Sequence, residues 1–379
     1  MFAAASVGIA YRFALIYRVR AGYPHRHPLL VTPTDLGMPY EDVEIPTSGG
    51  LTLPGWFIPA GPDRGPGVVL VHGWESARDR MLPIAVFLRA VGFHTLTFDV
   101  RGNGLNPPEK LPLSAGEYGG DAAAAVDALL GRDEVSRVAV LGHSMGGIGA
   151  LLAAGARPHL AAVVAISAPA DPYRLTRQTF RLARLPIPGP IAWPLAWLTT
   201  HVYLRPRGHS VVDISATEAI RRYAGPILLI HGAEDDVVPV GHVRRLAAAA
   251  QRRGTNAQVE TVVIPGGGHS WLYEFAAYRA SVARFLAQAA GGPLPPDVAA
   301  ATAAAVDAER IREPEGPEGT LAREPGGFRS LARIARRVPA PYRGAGTAQP
   351  VAPDAAFTAG DRDRGSDGPT PSPAPSGGG

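Results

Sequence analysis

Between residues 40 and 290 the chain keeps switching between two textures, and that switching restricts its fold more than any other feature. Short runs rich in Val, Ile and Leu alternate with longer Ala-rich stretches. The runs are GVVLV (67–71), HTLTFDV (94–100), RVAVLG (137–142), LAAVVAIS (160–167), PILLI (226–230) and VETVVIP (259–265). Between and after them, residues 79–91, 120–131, 145–156, 241–253 and 271–289 read as helices. Apolar runs without polar alternation are strands buried on both faces, so the repeat predicts a mostly parallel central sheet flanked by helices, an α/β fold. DVEIP and LTLPGWFIP, ahead of the repeat, read as two antiparallel lead-in strands. In such a sheet, chemistry gathers on the loops at the C-terminal ends of the strands.

The loop after RVAVL is GHSMGG. Gly142-His143-Ser144-Met145-Gly146 fits G-x-S-x-G between a strand and a helix. A sharp turn there lifts the Ser144 hydroxyl out of the sheet, and side chains at 142 and 146 would collide within it. Serine alone is a weak nucleophile and needs a base and a group to orient that base. After GVVLV comes His72-Gly73-Trp74, where the glycine lets two loops approach closely. The backbone N–H groups of Trp74 and Met145 are therefore expected to form an oxyanion hole.

Among the 11 histidines, His269 has the context of a base. It follows a strand and three glycines and precedes the last helix of the repeat. The orienting acid is expected after PILLI, where IHGAEDDVVP offers Glu234, Asp235 and Asp236. The residues alone narrow it only to those three.

The ordered series HGW, DVRGNG, GHSMGG, HGAEDDVVP and GGGHS resembles the α/β-hydrolase superfamily, in particular capped esterases and serine-aminopeptidase-like hydrolases, over roughly residues 40 to 290. The resemblance implies the order nucleophile, acid, base. Its phrase H-G-x-x-D-x-x-V-P selects Asp235. It also implies a serine hydrolase that cleaves carboxylic esters through an acyl-enzyme, with Ser144, Asp235 and His269 as the triad. Peptidase, amidase or acyltransferase chemistry would use the same residues. Asp99-Val-Arg-Gly-Asn-Gly104 resembles the family's D-x-R-G-x-G loop, with Asn106 where a serine is frequent. Asp99 is expected to pair locally.

Residues of about 171–222 break the repeat, and an insertion of that length is normally functional. It is expected to be a helical cap, with Phe180, Trp193 and Trp197 lining an apolar substrate pocket. Arg174, Arg177, Arg181 and Arg184 share one helical face, readable as a solvated stripe or as a surface for an acidic membrane or anionic substrate.

The rest of the chain bounds the partners. Net charge is +4 without a Lys/Arg block, which argues against nucleic acid. There is no cysteine, so thiolate metal sites and a Cys nucleophile are excluded. No cofactor or metal is implied, and nothing sets an oligomeric state. The partner expected is a small-molecule ester with an apolar acyl or alcohol part.

Residues 1–30 form an apolar and basic N-terminal segment. FAAASVGIAYRFALIYRVR is broken by Arg12 and is short for a span, which needs about 20 apolar residues. A helix packed on the domain or lying in a membrane interface is preferred, with the body in the cytoplasm. Residues 31–290 are expected as the domain, and 291–379 as a disordered Pro/Gly/Ala-rich tail. Within that tail FRSLARIARRV has the spacing of a basic amphipathic helix, while DRDRGSD lacks the closing Glu of a calcium loop. A non-catalytic, membrane-associated scaffold is the rival reading from another class.

Overall fold

A computed structural model describes residues 2–307. Its eight strands are β1 (Glu41–Thr47), β2 (Leu51–Ile58), β3 (Gly65–Val71), β4 (His94–Phe98), β5 (Val135–His143), β6 (Ala162–Ile166), β7 (Ile227–Gly232) and β8 (Val259–Ile264). They form one sheet in the order β1-β2-β4-β3-β5-β6-β7-β8. β2 runs antiparallel to β1 and to β4, and the other pairs are parallel. Each apolar run read from the sequence is a strand, and the two lead-in strands precede them.

The helices are α1 (Phe2–Ala21), α2 (Leu82–Ala90), α3 (Ala115–Leu130), α4 (Met145–Ala156), α5 (Pro172–Leu182), α6 (Gly189–Leu204), α7 (Ala216–Arg222), α8 (Gly241–Gln251), α9 (Ala276–Leu286) and α10 (Pro296–Ala305). Alternate strand residues feed two cores. Val69, Val71, Val140 and Leu229 join the core of α3, α4, α7 and α8. Val68, Leu70, Leu141 and Ile230 join that of α2, α9 and α10. Both faces of the central strands are thus covered, which is why their sequence shows no alternation.

Two boundaries differ from the sequence reading. Helix α3 starts at Ala115 rather than near 120, because Ser114 and Glu117 make a capping box: the Ser114 N–H donates to the Glu117 carboxylate at 2.7 Å, and the Gly116 N–H to Ser114 Oγ at 3.1 Å. The ordered chain runs past Gly291: α10 packs on α9 through buried Ala299, Ala300 and Ala303, and the Arg279 guanidinium donates to the Ala303 and Ala304 carbonyls at 3.0 and 2.7 Å. The FRSLARIARRV and DRDRGSD segments lie outside the described residues.

The insertion supplies two cap helices, α5 and α6, whereas α7 belongs to the body, with Ala219 and Ile220 in the core. The third cap helix is α1. Phe13 and Tyr17 set their rings edge-on to Phe180 at 5.5 and 5.6 Å, and the Tyr17 and Thr179 hydroxyls are 2.6 Å apart. Burial pushes the Tyr17 phenol up to about 12 against the pull of that hydrogen bond, so it stays neutral. After α6 the chain is tied back to the start of α3: Arg207 donates to Glu109 at 2.6 Å, and His209 meets Glu117 at 2.6 Å.

Candidate active site

Ser144 sits between β5 and α4 with φ 55° and ψ −116°. A non-glycine residue held there costs on the order of 1–3 kcal/mol, which the surrounding packing must offset. The turn closes because two neighbours are glycine. A Cβ on Gly142 would lie 2.1 Å from the Gly146 carbonyl oxygen, and one on Gly146 would lie 2.2 Å from that of Val71. The Ser144 N–H donates to the Ile166 carbonyl at 2.8 Å, fixing the turn to β6.

The loop after β8 brings His269 over this serine. Its Nε2 is 3.0 Å from Ser144 Oγ, and its Nδ1 is 2.8 Å from Asp235 Oδ2. The loop after β7 holds Asp235. Oδ1 accepts the Val237 and Val238 N–H groups at 3.0 and 2.7 Å, while Oδ2 also lies 3.2 Å from His231 Nε2. Burial would raise the Asp235 carboxyl. Hydrogen bonds from His231 and His269, the nearby imidazole charge and the Val238 N–H outweigh it and hold the group well below the usual carboxylate range. Glu234 and Asp236 are exposed, so of the three acids in this loop the structure brings Asp235 to the histidine.

Two histidines outside the predicted set brace these groups. His143, within the serine turn, faces the His269 carbonyl oxygen through Nε2 at 2.7 Å, with the two rings 5.0 Å apart. Burial first, and then the His269 charge, lower its pKa to about 4, so it is neutral near pH 7 and donates that bond through Nε2–H. His231 is fully buried, and its Nε2 also lies 2.6 Å from the Val238 carbonyl oxygen. A carbonyl can only accept, so Nε2 carries the proton and serves both Val238 and Asp235. From the sequence His231 reads as a structural strand end. The clue to its bracing role is its spacing, four residues before Asp235 on a tight loop.

The loop after β3 lies against the serine turn: a Cβ on Gly73 would sit 3.4 Å from that of Ser144. Its shape is held by the Gly73 carbonyl, which accepts from Tyr118 Oη at 3.2 Å and from His72 Nδ1 at 2.7 Å. His72 Nε2 accepts the Val100 N–H at 3.0 Å, so both ring nitrogens are committed, and burial lowers its pKa. Trp74 follows this glycine, and Met145 opens α4, where the first N–H groups have no partner within the helix. Asp99 pairs locally: it accepts from the Arg78 side chain at 2.9 Å and from the Leu105 N–H at 2.9 Å.

A cavity of about 140 Å³ opens beside Ser144, Met145 and Trp74. Leu175, Leu182 and Leu204 from the cap and Ile148, Ile214 and Val237 from the body give it an apolar wall, and Tyr17, Arg20 and Ala21 bring α1 into it. The three aromatic residues expected in this wall are elsewhere. Phe180, on α5, is buried against Phe13 and Tyr17 of α1, while Trp193 and Trp197 are on the outer face of α6, 38% and 54% exposed. The helical phase decides this: Ala192, Ala196, Thr199 and Thr200 turn inward, and the tryptophans point outward. Among the described residues, no group of three or more His, Cys, Asp or Glu side chains gathers as a metal site.

A family model described as the alpha/beta hydrolase family matches residues 68–285. An uncharacterized protein of Mycobacterium tuberculosis, Rv2307c, is 33% identical over 235 residues, which are 60% of this chain and 72% of the relative. The alpha/beta hydrolase domain-containing protein WAV2 of Arabidopsis thaliana is 28% identical over 283 residues, 70% of this chain and 83% of the relative. Among solved structures, the Pyrococcus furiosus esterase Pf2001 superposes with a TM-score of 0.56 at 27% identity, covering 71% of this chain and 100% of that chain.

Proposed function

The chain belongs to the alpha/beta hydrolase family, and on that footing we propose that it is a serine hydrolase that cleaves carboxylic esters through an acyl-enzyme. One observation carries the reading: the His269 imidazole bridges Ser144 Oγ at 3.0 Å and Asp235 at 2.8 Å. Asp235, an acceptor only, keeps the His269 proton on Nδ1 and leaves Nε2 free to accept the serine proton. Ser144 Oγ attacks the ester carbonyl carbon as its proton passes to His269 Nε2. The carbonyl oxygen becomes an oxyanion held by the Trp74 and Met145 N–H groups, each worth roughly 3 kcal/mol in the transition state. The bond from carbon to the alcohol oxygen breaks, and His269 returns the proton to that oxygen. Water then attacks the acyl-enzyme with its proton going to His269, and the acid leaves as Ser144 is reprotonated.

The apolar cavity wall and the likeness to the Pf2001 esterase support an ester with an apolar acyl or alcohol part. Amide cleavage and acyl transfer would use the same groups. Labelling with a fluorophosphonate probe tests the reading. The folded protein should be labelled at Ser144, and Ser144→Ala should not react. Absence of label on folded wild-type protein would sink the proposal.

A further inference from the structure

From the outer surface of the cap we infer that it docks on an anionic phospholipid bilayer. Three observations meet there. The first is exposed apolar surface on α1. Its outward stripe is Ile9, Arg12, Ile16 and Val19, opposite the inward Phe13, Ala14 and Tyr17. Val7, Gly8 and Ile9 are exposed in succession, so this turn presents apolar surface to solvent around more than one side of the helix. Val7 and Ile9 are 67% and 71% exposed.

The second observation is the outer face of α6. Trp193 and Trp197, one turn apart, are both exposed, and the Arg174 and Arg177 guanidinium groups of α5 lie 5.1 and 4.7 Å from the Trp193 ring centre. Indole rings at the surface beside arginines match the headgroup level of a bilayer, where the ring meets acyl chains and the cation meets phosphate.

The third is charge. Residues 1–34 and 172–212 contain no Asp or Glu, although the chain has 33 acidic residues. Of the three cap helices α1 and α5 therefore present arginine with no acid within any of the three, and Asp171, the N-cap of α5, sets a carboxylate beside them, 3.8 Å from Arg174. A second copy of this chain placed on the same face would set arginine against arginine, whereas an anionic surface is complementary. Among the described residues no helix is long and apolar enough to cross a membrane, so the contact is peripheral. This inference stands apart from the ester chemistry, although docking would bring the apolar cavity beneath the cap close to acyl esters held in a bilayer.

Sedimentation of the full chain with vesicles tests it. The protein should pellet with vesicles of equal phosphatidylglycerol and phosphatidylcholine, stay in solution with pure phosphatidylcholine, and release as salt rises. Brominated acyl chains in the anionic vesicles should quench tryptophan emission, and Trp193→Ser with Trp197→Ser should remove that quenching and weaken binding about tenfold. Arg174→Gln with Arg177→Gln should weaken it about thirtyfold. Both pairs are surface changes, and their thermal unfolding should match wild type. Binding that survives both double variants would lie elsewhere in the chain and overturn the assignment. So would equal binding to neutral vesicles, no binding to either, or self-association in sedimentation velocity that the tryptophan variants abolish.

Discussion

Replacing Asp235 by Asn tests the site at its most constrained point. Oδ1 faces two backbone N–H donors, from Val237 and Val238. The asparagine must therefore keep its oxygen on that side and turn its NH2 toward the position of Oδ2. There it meets His269 Nδ1, 2.8 Å from the present oxygen, and His231 Nε2 at 3.2 Å. A donor at this position drives the His269 proton from Nδ1 to Nε2, so the imidazole faces Ser144 with N–H and cannot accept its proton. His231 is opposed as well, because its Nε2–H is already committed to the Val238 carbonyl at 2.6 Å. Turnover should fall by roughly 10⁴, about 5.4 kcal/mol in the barrier. KM should change little, since Asp235 is outside the cavity wall. The neighbours control for charge: exposed Glu234→Gln and Asp236→Asn should stay within about twofold. The assay is kcat and KM on a nitrophenyl ester, with the rate of fluorophosphonate labelling as a second readout. If Asp235→Asn keeps more than about a tenth of wild-type turnover, or Asp236→Asn is equally damaging, the orienting role belongs elsewhere.

Further expectations follow from the same geometry. Gly146→Ala sets a Cβ 2.2 Å from the Val71 carbonyl and should cost about 3 kcal/mol or prevent folding, read by thermal unfolding and soluble yield. His143→Ala removes the brace on the His269 carbonyl and should lower kcat up to about a hundredfold with little effect on KM. Across a nitrophenyl ester series, kcat/KM should depend on acyl length, and Leu175→Trp, which fills the cavity, should penalise long chains more than short ones; indifference to length would refute the pocket assignment. His209 is raised above its ordinary value, first by its hydrogen bond to Glu117, so its contribution is complete below about pH 6.5 and fades as pH rises through the folded value. The stability difference between wild type and His209→Gln, from melts across pH, should therefore shrink above neutrality.

The central strands were legible because burial on both faces writes an apolar run, whereas the edge strand β8, partly exposed and carrying Glu260 and Thr261, shows a weaker one. Ser144 and His269 were legible because a turn that crowded needs glycines, and the glycines show in the sequence. Asp235 was harder. Its neighbours have the same chemistry, and which carboxylate turns inward depends on the Val237 and Val238 N–H groups that close the loop around it. The bracing role of His143 is hidden in the sequence because its partner is a backbone carbonyl, which no side-chain pattern marks, whereas that of His231 shows only in its spacing, four residues before Asp235. The cap was misread for a different reason. Aromatic residues in an insertion suggested a pocket wall, but the inward face of α6 is built from Ala192, Ala196, Thr199 and Thr200, with Thr200 paired to Thr176 of α5 at 2.8 Å. Small inward residues let α1 and α5 approach α6 closely, and that approach leaves room only outside for two indole rings. Helical phase therefore outranks residue size in such a segment: an Ala/Thr stripe marks the packed face even when larger, more apolar side chains occupy the opposite one. The same logic turns Trp193 and Trp197 from a failed pocket prediction into surface features that need a partner, since the packing that expelled them does nothing to cover them.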